Sequence, residues 1–87
     1  MNTQSILAKK VEELTKPGDY KFNDELDYIF IILPGTKHPD ALQVNNGPPL
    51  GPRVWGWNGD VDNPTLEPSI GAPEWHGYLR SGKLQSC

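Results

Sequence analysis

Nine side chains in the second half of this sequence carry most of the chemistry it can offer: Trp55, Trp57, Asn58, Thr65, Ser69, His76, Tyr78, Arg80 and Lys83. Indole faces stack on nucleobases or sugars, at about 1–3 kcal/mol per base. The Arg80 guanidinium meets phosphate through a bidentate fork, with Lys83 as a second cation. The Asn58 amide and the hydroxyls of Thr65 and Ser69 fix a ribose or phosphate by neutral hydrogen bonds. Taken as a group, these residues predict a site that binds a small anionic ligand without catalysis. Taken singly, each tryptophan is expected in the core, because a small domain needs its large side chains inside.

Other chemistries find less support. His38, His76 and Cys87 show no spacing of the CxxC or HExxH kind, so no metal and no cofactor is expected. Asn58, Asp60 and Asp62 alternate as in a calcium loop, but the sixth position is Asn63 rather than Gly and the twelfth is Ser69 rather than Glu. Ser69 and Ser81 can approach His76 in space, yet the nucleophile-elbow signature is absent. Cys87 as a partner for His76 stands at the end of the sequence, where chains are loosely held. General acid–base work by His76 with a carboxylate is physically allowed. Binding is therefore the favoured reading and catalysis is left open.

Composition narrows the setting. The 87 residues suit a single small domain, 1–87. Eight basic and eleven acidic side chains give a net charge of −3, the wrong balance for holding long nucleic acid. After Glu74 there is no further acid, so an anion can still be met locally by Arg80 and Lys83. The longest apolar run, Tyr28 to Leu33, is far short of the ~20 residues a membrane helix needs. One cysteine and no apolar leader segment suggest a cytoplasmic protein. So small a domain has little interior to hollow out, so a ligand pocket is expected in a surface cleft or between the subunits of a homo-oligomer.

The elements that must position these residues are legible in outline. Over residues 4–15 the apolar residues Leu7, Val11 and Leu14 fall at helical spacing, with Asn2, Thr3 or Ser5 as caps, and Pro17-Gly18 ends the segment. Leu26–Leu33 reads as a central strand. Nine glycines and nine prolines, concentrated between Pro34 and Pro73, mark 35–52 as a long loop with room for a short strand at Ala41–Val44. Arg53–Trp57 alternates as a strand, with Trp55 and Trp57 on one face. A hairpin is expected for Trp75–Arg80 and Lys83–Ser86 about Ser81-Gly82. The expected fold class is α+β: an N-terminal helix packed on a small, mostly antiparallel sheet of four to five strands with long Pro/Gly-rich loops.

Trp55-Gly56-Trp57-Asn58-Gly59, then Pro64-Thr65-Leu66-Glu67-Pro68-Ser69-Ile70, then His76-Gly77-Tyr78-Leu79-Arg80-Ser81-Gly82-Lys83-Leu84 resembles the pattern of a family of small phage and prophage proteins. Some of its members carry the label "ammonia monooxygenase", which no copper or iron ligand set in this sequence supports. Many have Cys before the His, where this chain has Trp75. The resemblance implies a viral accessory protein of the host cytoplasm. Its expected partner is a nucleotide immune signal such as a cyclic nucleotide or ADP-ribose derivative, sequestered to evade host defence. The alternatives are an inhibitor that masks a host protein and a small hydrolase that degrades the signal.

Overall fold

A computed structural model describes residues 5–87. It contains ten strands and no helix among the described residues: β1 (Ser5–Leu7), β2 (Lys9–Lys10), β3 (Asp19–Phe22), β4 (Tyr28–Ile31), β5 (Asp40–Asn46), β6 (Val54–Trp57), β7 (Leu66–Glu67), β8 (Ile70–Ala72), β9 (Trp75–Arg80) and β10 (Lys83–Ser86). They form a six-stranded sheet in the order β2-β3-β4-β5-β6-β7 and a four-stranded sheet in the order β1-β10-β9-β8. The fold is all-β, which corrects the α+β expectation.

The correction centres on the N-terminal segment. Ile6 and Ala8, at strand spacing, pack against the core, while Leu7 is 72% exposed. A helix of about a dozen residues is marginal unless its apolar stripe is buried. Here the free edge of β10 offers backbone partners instead, and Ser5, Ile6 and Leu7 pair with Gln85, Leu84 and Lys83. The proposed caps Asn2 and Thr3 lie outside the described residues. Downstream, Asp19 organises the bend that was expected to end the helix: its Oδ2 accepts from the amides of Thr15 and Lys16 and from the Thr15 hydroxyl.

The other expected strands form. β4 pairs antiparallel with β3 and β5, and β5 runs parallel to β6. Two of its four residues, Ile29 and Ile31, are fully buried. At the β9–β10 turn, Ser81 and Gly82 both take positive φ, 49° and 75°, as the favoured two-residue hairpin turn requires. Tyr20, Ile29, Ile31, Leu33, Leu66, Ile70, Leu79 and Leu84 are the most buried members of one core contributed by both sheets. The chain leaves one sheet at β7 and enters the other at β8 through only Pro68 and Ser69.

Candidate functional site

Ser69 stands at that crossover, and the hairpin that follows brings His76 to it. β8 and β9 turn over Pro73-Glu74, in the register Ile70↔Gly77, Gly71↔His76 and Ala72↔Trp75. One step further, this register sets Ser69 diagonal to His76 on the same sheet face, a spacing at which side chains still meet. His76 Nε2 lies 3.0 Å from Ser69 Oγ. The Ser69 backbone is held on both sides. Ile70 is buried to 1% exposure, and the Trp55 indole Nε1 donates to the Ser69 carbonyl at 3.2 Å. His76 is exposed and Ser69 is half-buried, so the pair is open to solvent.

Beside the pair, Ser69 shares a cavity of about 500 Å³ with Pro49, Leu66, Pro68, Tyr78 and Arg80. His76, Tyr78 and Arg80 alternate along the more exposed face of β9. The Arg80 guanidinium lies 4.0 Å over the Tyr78 ring, a cation–π contact that fixes both side chains at the cavity wall. Lys83 is the cross-strand neighbour of Arg80.

The remaining candidates go elsewhere. Trp57 is buried, its ring 4.7 Å from that of Phe22 and its indole donating to the Asp60 carbonyl at 3.2 Å. Asn58 Oδ1 accepts from the amides of Asp60 and Thr65, and Thr65 Oγ1 accepts from the Ser81 amide at 2.8 Å. Trp57, Asn58 and Thr65 line a different and smaller cavity of about 290 Å³. Asp60 Oδ1 accepts from the amides of Asp62 and Asn63, so the alternating acids close a turn. Among the described residues, no group of three or more His, Cys, Asp or Glu is placed to hold a metal ion. It is Ser69 rather than Ser81 that reaches His76.

The signal for this pairing was present in the sequence. A two-residue turn at Pro73-Glu74 makes 70–72 and 75–77 antiparallel partners and carries Ser69 to His76. The expected strand starting at Trp75 forms, and the extended segment before it is its hairpin partner.

A serine hydroxyl in hydrogen-bond contact with an imidazole is the arrangement of nucleophile and general base in acyl transfer. The comparisons with known proteins point the same way. A family model described as "Bacterial ubiquitination-like system serine protease (BubE)" matches residues 9–87, a span that contains all of the Trp55–Leu84 pattern. Neither the curated proteins nor the solved structures gave a match. The family match overturns the expectation of a nucleotide-sequestering sponge, together with its alternatives of a host-protein inhibitor and a nucleotide hydrolase. The chain belongs to the BubE family of bacterial ubiquitination-like system serine proteases.

Proposed function

We propose that this chain is a serine protease that acts on a polypeptide of a bacterial ubiquitination-like system, with Ser69 as nucleophile and His76 as general base. The observation that carries the reading is the 3.0 Å contact between His76 Nε2 and Ser69 Oγ. In the first step Oγ attacks the scissile carbonyl while Nε2 takes the hydroxyl proton. The imidazolium then gives that proton to the departing amine, leaving an ester on Ser69. Water, deprotonated by His76, hydrolyses the ester and restores the hydroxyl. The Trp55 bond to the Ser69 carbonyl holds the nucleophile's backbone in place through both steps. The cavity lined by Tyr78 and Arg80 receives a side chain of the substrate next to the scissile bond.

The test is covalent labelling with an alkyl fluorophosphonate, followed by intact mass and peptide mapping. One adduct is expected, on Ser69, absent in Ser69→Ala and slowed at least 100-fold in His76→Gln, the scale of general-base contributions. Failure to label, or an adduct on another residue, overturns the assignment.

A further inference from the structure

β8 is the outer strand of its sheet, and among the described residues it pairs only with β9. In an antiparallel pair, successive residues turn their N–H and C=O alternately toward the neighbour and away from it. The His76 carbonyl accepts from the Cys87 amide at 3.0 Å, on the side of β10. His76 thus turns its backbone groups away from β8, and Gly71↔His76 is a non-hydrogen-bonded pair. The N–H and C=O of Gly71 therefore point outward, past the open edge of the sheet, two residues from the nucleophile.

Neither conformation nor packing demands a glycine there. Gly71 is not among the glycines with positive φ, and a Cβ on it would meet only His76 Cδ2, at 3.9 Å. The residue is exposed. Because β8 is the outer strand of its sheet, the outward N–H and C=O of Gly71 are left unpaired beside the Ser69–His76 pair. A cavity lies near each end of β8. The one of about 500 Å³ includes Ser69 at one end of β8, and another of about 400 Å³ includes Ala72 at the other end, together with Thr36 and His38. The strand between them spans about 10 Å at ~3.3 Å per residue.

We propose that the polypeptide substrate binds as an added strand on the open edge of β8, one of its residues exchanging hydrogen bonds with the Gly71 N–H and C=O. This rests on the protease reading. An extended segment laid there runs between the two cavities and passes the Ser69 hydroxyl. Main-chain pairing supplies the affinity and the cavities select side chains. A strand of three residues is also short enough to resist pairing with a second copy of the same edge.

The experiment compares two probes on the full chain: an alkyl fluorophosphonate, which needs only the reactive pair, and a trialanyl diphenyl phosphonate, which needs the strand site as well. Gly71→Pro removes the outward N–H, and an edge strand tolerates proline where its N–H faces solvent. Its labelling of Ser69 by the peptidyl probe is expected to slow about 5- to 10-fold, the worth of one hydrogen bond. Labelling by the alkyl probe should stay within about two-fold of the unaltered chain, and Gly71→Ala, which keeps the N–H, should react with both probes normally. Peptidyl probes N-methylated at one amide each give an independent reading, with one position losing reactivity and its neighbours retaining it. Equal slowing of both probes in Gly71→Pro, or indifference to every N-methylation, overturns the strand site while leaving the protease reading intact. Failure of the alkyl probe to label Ser69 in the unaltered chain overturns the protease reading itself and this proposal with it.

Discussion

The Trp55 indole and the Ser69 carbonyl are joined by a 3.2 Å hydrogen bond between β6 of the six-stranded sheet and the crossover into the four-stranded one. Trp55 is half-buried and packs against the core, so the donor is itself fixed. The bond acts on the backbone of Ser69, so in the proposed mechanism Trp55 is a positioning residue that does not touch the substrate.

Replacing Trp55 by Phe keeps an aromatic ring and deletes the donor. Stability is expected to fall by about 1 kcal/mol, the net worth of a hydrogen bond, which lowers Tm by roughly 4–8 °C in a domain of this size. Labelling of Ser69 by the alkyl fluorophosphonate, measured well below the new Tm, is expected to slow several-fold. A lowered Tm with an unchanged labelling rate restricts Trp55 to packing.

Gly71 and Gly77 face each other's strands and predict opposite outcomes. A Cβ on Gly77 would collide with the Gln85 carbonyl and the Trp75 ring, and Trp75 is tied to Ser86 Oγ by a 2.8 Å hydrogen bond that restrains it from moving aside. Gly77→Ala should cost at least ~1–3 kcal/mol, the range for overpacking. Gly71→Ala should be close to neutral. Paired thermal or urea melts decide between them.

Alkaline stability should depend on Tyr20. Burial, with the negative charges of Asp62 and Asp60 nearby, pushes its hydroxyl up from 10.0 to about 12. The hydroxyl donates to the Val61 carbonyl at 2.7 Å, a bond only the protonated form can make. A raised folded-state value means that the contribution is complete below pH 10, where the unfolded tyrosine is still protonated, and is lost as pH climbs toward about 12. Melting temperatures of the unaltered chain should drop across this window. Tyr20→Phe should start lower at neutral pH and decline less.

Acid stability should depend on Asp19 in the opposite sense. The Thr15 amide, with help from the Lys16 amide and the Thr15 hydroxyl, outweighs the cost of burial and holds the carboxyl below its ordinary 3.8. A lowered folded-state value contributes stability above the ordinary value and loses it as pH falls through the folded one. Asp19→Asn should destabilise the chain at neutral pH and show a smaller further loss between pH 4 and pH 2. Identical acid melts for both chains contradict this role.

How far the sequence spoke for the structure differs from one segment to another. Tyr28–Ile31 and Val54–Trp57 announce themselves because β-branched and aromatic residues are dense there, and the Ser81-Gly82 hairpin because its turn chemistry is local. The N-terminal segment misleads because Leu7, Val11 and Leu14 fit a helix, while the decisive fact, an open edge on β10, belongs to residues nearly eighty positions away. At the site, the grouping of His76, Tyr78 and Arg80 followed from strand parity alone. Trp57, Asn58 and Thr65 were grouped with them by closeness in sequence, but their hydrogen bonds serve the core and the turn between β6 and β7. Ser69 was named among the candidates for a hydroxyl's hydrogen bond. Its contact with His76 depends on the β8–β9 register, which short strands flanked by prolines hide.

The two-residue crossover at Pro68-Ser69 has a thermodynamic consequence. A nucleophile on a surface loop keeps its reactivity while distant parts of a protein loosen. Here the reactive hydroxyl is anchored to one sheet through Trp55 and aligned by the other through His76. Any breathing of one sheet against the other strains the Trp55 bond that holds the backbone of Ser69. Reactivity toward a phosphonylating probe therefore doubles as a gauge of whether the two sheets are docked, and it should fade on heating before the circular dichroism signal of either sheet does.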